Sequence, residues 1–303
     1  MLHEPFPTSM RVLEDPQSQS CLVLGDCLAG MSCCQPASVD VVVTSPPYNL
    51  GIQYNSYDDS IPRSEYLRWT RSWASACRSL LSPGASLYLN VGSKPKDPWL
   101  VMDVAAVFRE QFILQNTFHW VKSISVEGRT GAAETYGHYK PINSRRFVND
   151  CHEFVFHFTL NGDVELDRLA VGVPYQDKTN VDRWSGRSDR RCRGNTWFIP
   201  YETIQSRSRE RPHPATFPFQ LAERCILLHG RAHIRRVMDP FMGLGSTGVA
   251  CARLGIPFLG FEMDEEYFGI AQTRIRASIK APTHTFDIPG DPAAGEHPRG
   301  DKQ

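Results

Sequence analysis

Residues 39–51, reading VDVVVTSPPYNLG, constrain this chain more than any other stretch. The β-branched run Val41-Val42-Val43 predicts a buried strand. It is cut off by Thr44-Ser45-Pro46-Pro47-Tyr48-Asn49. Two consecutive prolines carry no N–H, so they can neither extend a ladder nor enter a helix interior. The chain must leave the carboxyl end of the strand as a rigid, extended loop with its carbonyls facing outward. In α/β sheets that edge is where ligands bind. Tyr48 sets a flat aromatic face beside those carbonyls. Such a loop accepts hydrogen bonds from an amino group and stacks on the planar ring that carries it, which describes a nucleobase. A proline-stiffened turn alone would account for Pro46 and Pro47, but not for Ser45, Tyr48 and Asn49 beside them.

Around this stretch the chain alternates strand and helix signals. Cys21-Leu22-Val23-Leu24 reads as a short strand ending at Gly25-Asp26, and a turn-rich helical stretch covers 28–38. Residues 64–81 have amphipathic helical spacing through Tyr66, Trp69, Trp73, Cys77 and Leu80. Ser82-Pro83-Gly84 ends that helix, and a strand over 85–91, a helix over 98–111 and a strand over 112–121 follow. Between 123 and 211 the rhythm breaks, apart from an alternating run at 153–160 (EFVFHFTL). Arg183, Arg187, Arg190, Arg191, Arg193, Arg207, Arg209 and Arg211 locally outnumber Asp189, Glu202 and Glu210. Arginine suits bidentate phosphate and guanine contacts, and long irregular segments inside domains are usually functional or disordered. This segment is read as the DNA-contacting, sequence-reading region.

Rhythm returns at His213-Pro214, a proline-bounded entry to a helix over 219–228. A strand then runs into Asp239-Pro240-Phe241-Met242-Gly243-Leu244-Gly245-Ser246-Thr247-Gly248, a glycine-rich turn opening a helix. Glycines let backbone approach a ligand, and helix starts favour negative charge. Gly243, Gly245 and Gly248 satisfy the dinucleotide pattern, so a nicotinamide enzyme has to be weighed. Asp239 just before the glycines opposes a pyrophosphate but suits the ammonium of S-adenosyl-L-methionine; a nucleoside-triphosphate loop fails because no Lys-Ser/Thr follows. A second strand at 257–261 closes on Glu262, placed to take two ribose hydroxyls. An amphipathic helix over 265–280 ends the regular part.

Thr44-Ser45-Pro46-Pro47-Tyr48 is similar to the catalytic motif of exocyclic-amino DNA methyltransferases, and Asp239 to Gly248 resembles their cofactor motif, with serine preceding the threonine. With the base loop first, the glycine loop last and the reading region between, the order resembles the β class of that family. The resemblance implies an α/β fold: a doubly wound, mostly parallel, seven-stranded Rossmann-like sheet, circularly permuted, with an inserted target-recognition region. It covers roughly Cys21 to Lys280 and implies a catalytic half at 21–122, the recognition region at 123–211 and a cofactor half at 212–280; the polar, proline-dotted 1–20 reads as a flexible arm, and 281–303, rich in proline, glycine and charge, as a disordered tail. The strands at 39–43 and 237–239 are then expected side by side.

The implied chemistry is methyl transfer from S-adenosyl-L-methionine to a flipped base stacked on Tyr48. Ser45 and the Pro46 carbonyl would accept from its amino group, with Pro47 stiffening the loop. Cofactor contacts are expected from Asp239, Phe241, Gly243, Gly245, Ser246, Thr247 and Glu262, with Asp26 near the adenine and His213 and Pro214 at the methionine end. DNA contacts are expected from Asn49, Lys122, Arg145, Arg146, Arg187, Arg190, Arg191 and Arg193. Serine at the head of the motif favours cytosine-N4; adenine-N6 is the alternative, since Asn49-Leu50-Gly51 also occurs beside adenine-type motifs. An enzyme acting on RNA or protein, and a silent DNA-binding module, are more distant readings.

Composition sets bounds on this. Lysine plus arginine and aspartate plus glutamate both total 33, so phosphate contacts must come from a local basic face rather than the overall charge. None of the nine cysteines forms a C-x-x-C pair or follows a proline, so reduced core thiols are expected, without a metal site or a cytosine-C5 nucleophile. No long apolar run or signal pattern is seen, and a cytoplasmic protein, nucleoid-associated on DNA, is expected. Members of the class often pair, which makes a homodimer a candidate assembly and a cognate restriction endonuclease a candidate partner.

Overall fold

The computed structural model describes residues 3–52, 59–127, 131–137, 143–184, 188–200 and 216–279. Its strands are β1 (Arg11–Asp15), β2 (Ser20–Leu24), β3 (Val39–Thr44), β4 (Leu81–Val91), β5 (Ile113–Val121), β6 (Ser123–Glu127), β7 (Ala133–Gly137), β8 (His152–Thr159), β9 (Thr196–Phe198), β10 (Val237–Asp239) and β11 (Phe258–Glu262). The α-helices are α1 (Cys27–Ser32), α2 (Arg63–Leu80), α3 (Trp99–Arg109), α4 (Asn180–Trp184), α5 (Phe219–His229), α6 (Ser246–Leu254) and α7 (Glu265–Ser278). Nine of these strands form one sheet in the order β1-β2-β11-β10-β3-β4-β8-β5-β9, and β6 and β7 form a separate hairpin.

From β2 to β4 the neighbours are parallel. β8 lies antiparallel between β4 and β5. β3 sits beside β10 with Val41 opposite Val237, as expected. Alternation sends Val41 and Val43 into the core under α5, α6 and α7, and Val42 into the core under α1, α2 and α3. Val39, Val41, Val42 and Val43 are at most 2% exposed, and each such side chain contributes on the order of 1.5–3 kcal/mol. That anchoring holds the loop after Thr44 at a defined place on the sheet edge.

Four expectations need correction. The sheet has nine strands rather than seven, because β1 and β9 extend its edges. β1 lies within the expected arm, paired antiparallel to β2 and tied down by Arg276 on Asp15 at 2.7 Å. β8 and β9 lie within the expected recognition region but belong to the main sheet, where Val155, Phe156 and Phe158 of β8 are buried. Ser82-Pro83-Gly84 does not separate helix from strand: β4 begins at Leu81, and a register shift opposite Val39 and Val41 absorbs the exposed proline and glycine.

Candidate active site

The carboxyl ends of β2, β3, β10 and β11 surround a pocket of about 240 Å³. Ser45, Pro46, Pro47 and Tyr48 form one side of it; Phe241, Gly243, Ser246, Glu262 and Asp26 form the other. Trp69, Phe217 and Tyr267 add aromatic walls. Acids beside flat apolar surfaces suit a ligand with a positive charge, a planar ring and hydroxyls.

On the glycine-loop side, Gly243 (φ 51°) and Gly245 (φ 76°) take left-handed backbone, which turns β10 sharply into α6. Gly248 has a different reason to be glycine: a Cβ there would come within 2.4 Å of Ile275 and 2.8 Å of Phe258. It brings α6 close to α7 and the sheet rather than facing the pocket. Glu262, at the end of β11, receives three backbone N–H groups, from Gly243 at 2.8 Å and from Met263 and Asp264 at 2.9 Å. Burial raises its carboxyl above the usual range, and those N–H groups pull it down. Asp26 is exposed on the rim and caps α1 through the Ala29 N–H at 2.9 Å.

Asp239 departs from its expected place. It is 1% exposed and lies behind the pocket wall. Its carboxylate accepts from Thr44 Oγ1 at 2.7 Å, Thr247 Oγ1 at 2.8 Å and the Phe241 N–H at 3.1 Å. Burial pushes it up to about 6 against those bonds. Asp239 and Thr247 thus join β10, β3 and α6, so the two halves of the pocket meet through one buried carboxylate.

On the proline-loop side, the two proline carbonyls differ. Pro47 O accepts from Tyr66 Oη at 2.9 Å, whereas Pro46 O has no hydrogen-bond partner among the described residues. Ser45 Oγ lies 2.5 Å from Tyr48 Oη. A hydroxyl and a carbonyl without a hydrogen-bond partner among the described residues, on successive pocket-lining residues, offer two acceptors, which is what a planar amino group with two N–H bonds requires.

Residues 39–273 match a family model described as DNA methylase, covering N6 and N4 methyltransferases. The chain belongs to this N6/N4 DNA methylase family. Its members are exocyclic-amino methyltransferases that act on DNA. The methylase is 26% identical over 256 residues to the type II methyltransferase M.HpaI of Haemophilus parainfluenzae, covering 84% of this chain and 73% of that one. It is 26% identical over 271 residues to M.ScaI of Streptomyces caespitosus, covering 85% and 81%. Its fold is similar to that of the PvuII cytosine-N4-specific DNA methyltransferase, with TM-score 0.62, 21% identity and 84% and 86% coverage. It is also similar to that of a DNA modification methylase from Thermus thermophilus in complex with S-adenosyl-L-methionine, with TM-score 0.54, 23% identity and 85% and 93% coverage.

The other expected residues of the methylase divide into three groups. Arg145, Arg146, Arg190 and Arg191 are exposed. Arg193 is half-buried and donates to Val171 O at 2.9 Å, and Lys122 is paired with Glu153 at 3.0 Å. Asn49, in left-handed backbone (φ 56°), donates to Ile61 O at 2.7 Å and so braces its own loop. His213, Pro214 and Arg187 lie outside the described residues.

Two site residues of the methylase carry no signal in the sequence. Trp69 reads as helix core, yet it lines the pocket and meets the Phe241 ring at 5.3 Å. Asp59 is an isolated acid, 2% exposed, whose carboxylate accepts from the N–H groups of Asn49, Leu50 and Ile52 at 2.7, 3.0 and 3.0 Å. Burial raises its carboxyl and these N–H groups oppose the rise. Asp59→Ala is expected to destabilise the protein by about 2–4 kcal/mol. It should also speed hydrogen exchange at the Asn49, Leu50 and Ile52 amides at least about tenfold. Unchanged exchange would mean that the prolines alone hold the loop.

Proposed function

We propose that this methylase transfers a methyl group to N4 of a cytosine flipped out of duplex DNA, with the base held by Ser45, the Pro46 carbonyl and Tyr48. The observation that carries the reading is the pair of acceptors at Ser45 Oγ and Pro46 O on the pocket wall. S-adenosyl-L-methionine, when bound, supplies an electrophilic methyl on a sulfonium. Glu262 and Asp26 are the groups available to its ribose and adenine, and the pocket aromatics to its apolar surfaces. The chain's own part is positioning: the amino group is fixed by two acceptors, its lone pair is turned out of conjugation, and water is kept from the aromatic walls. Serine at the head of the motif supports cytosine. Exposed Arg145, Arg146, Arg190 and Arg191 supply candidate phosphate contacts.

The test is methyl transfer from labelled S-adenosyl-L-methionine to mixed-sequence duplex DNA, followed by digestion to nucleosides and chromatography with mass detection. Label in N4-methylcytosine is expected. Label in N6-methyladenine would keep the mechanism and overturn the base. The same reading proposes a homodimer, checked by sedimentation, a cognate restriction endonuclease, and a cytoplasmic location. Among the described residues no helix is long and apolar enough to cross a membrane.

A further inference from the structure

Behind the Ser45 loop, side chains from four parts of the fold meet in one hydrogen-bonded chain. Tyr48 Oη lies 2.5 Å from Ser45 Oγ, 3.0 Å from Asn90 O and 3.3 Å from Glu153 Oε2. Asn90 Nδ2, near the end of β4, donates to Tyr48 Oη and to Glu153 Oε2, each at 2.7 Å. Lys122, just beyond β5, holds the other carboxylate oxygen at 3.0 Å. Gly92 makes room for this arrangement, since a Cβ there would lie 3.1 Å from Glu153 and 3.2 Å from the Tyr48 ring.

Counting protons fixes the direction of the chain. The Glu153 carboxylate can only accept, so the Asn90 amide must present its NH₂ side; its buried Oδ1 has no hydrogen-bond partner among the described residues. That NH₂ donates to Tyr48 Oη. The single Tyr48 proton points to Asn90 O or Glu153, neither of which has a proton to offer. Either oxygen of the short Ser45–Tyr48 contact can donate, and with the Tyr48 proton so placed it is Ser45 that does. Asn90 Nδ2 also lies 3.4 Å from Ser45 Oγ, a longer contact than its two bonds at 2.7 Å, and a lone pair of Ser45 Oγ remains for a donor in the pocket.

We propose that Glu153 is a positioning residue for methyl transfer: through Tyr48 it obliges Ser45 to act as an acceptor, and it is the terminus to which the surplus amine proton passes. As the amine nitrogen bonds the methyl carbon, the electron pair of the broken S–C bond returns to sulfur and the nitrogen becomes positive. Its proton moves to Ser45 Oγ, the Ser45 proton to Tyr48 Oη and the Tyr48 proton to Glu153 Oε2. The resulting carboxylic acid gives its proton to water after turnover. This inference rests on the proposed base site at Ser45.

Glu153→Gln and Tyr48→Phe test it; the second keeps the ring and cuts only the hydroxyl link. Each is expected to lower the single-turnover rate about 10²-fold. Cofactor affinity by calorimetry, DNA KM and Tm should stay near wild type. The double variant should be no slower than the slower single variant, because both break one chain. A proton inventory in mixed light and heavy water should show more than one proton in flight for wild type and fewer for Tyr48→Phe. Rates within about threefold of wild type, or multiplicative losses in the double variant, would overturn the relay. If Glu153→Gln fails to fold, Tyr48→Phe and its proton inventory decide alone. Full activity in Ser45→Ala would instead remove the base site beneath the proposal.

Discussion

Ser45→Ala is expected to lower the single-turnover rate of methyl transfer about 10²- to 10³-fold, the range for loss of one well-placed polar contact to a reacting group. Cofactor affinity should change by no more than about twofold. Ser45 touches the pocket from the β3 side, and its hydroxyl bonds to Tyr48 rather than to the glycine loop or Glu262. Its removal leaves Pro46 O as the remaining acceptor on that wall, so an amino group could enter but would be held by one bond in place of two. The loss should therefore appear in kcat more than in the cofactor Kd, and rapid-quench assays beside calorimetry separate the two. An equal loss of both would mean that Ser45 supports the fold of the loop rather than the reacting group.

Asp239→Ala is expected to destabilise the protein by about 2–5 kcal/mol and to cost cofactor binding through the collapse of the joint between β10, β3 and α6. Thr44 Oγ1 and the Phe241 N–H would lose their acceptor in a buried setting. Asp239→Asn should behave differently. Its oxygen can still accept from Thr44 and Phe241. Its NH₂ can donate to Thr247 Oγ1, which is free to donate to Val43 O, 3.1 Å away. The pH dependence separates wild type from Asn. The carboxyl sits at about 6 in the folded protein, above its usual value near 3.8, so the folded state holds the proton more tightly. The stability this contributes is complete below about pH 4 and lost as pH rises past about 6, on the order of 3 kcal/mol. Urea unfolding across that window should show the slope in wild type and its absence in Asp239→Asn. A variant that unfolds normally yet loses cofactor affinity more than about tenfold would restore Asp239 to direct contact with an ammonium.

Legibility followed the range over which each cause acts. The β3 valines, the proline pair and the two glycine turns are local causes, and each showed in a few consecutive residues. The adjacency of β3 and β10 was also legible, because two ligand loops at strand ends share a site only if those strands are neighbours. β1 escaped notice because RVLED is short and polar on one face, and β9 because three residues carry no periodicity. Asp59 and Glu153 were invisible for another reason. Their importance lies in which N–H and O–H groups point at them, and chain geometry decides that. Asp239 was recognised as important but given the wrong neighbour, since the sequence does not say that Thr44 and Thr247 close over it.

The seam between β3 and β10 also sets a timetable for biosynthesis. Thr44 and Asp239 bond across 195 residues, and Asp40 waits equally long for Arg235. At ribosomal speeds of about 5–20 residues per second that interval is about 10–40 s. During most of it, β3 has one edge unpaired, Val41 and Val43 lack the cover that α5, α6 and α7 later give, and the polar groups of Asp40 and Thr44 are still solvated. Such long sequence separation slows folding and prolongs exposure to aggregation. A nascent chain arrested before β10 would thus carry the whole proline loop on a strand paired along one edge alone, so this motif is made early and is among the last parts to acquire its final support.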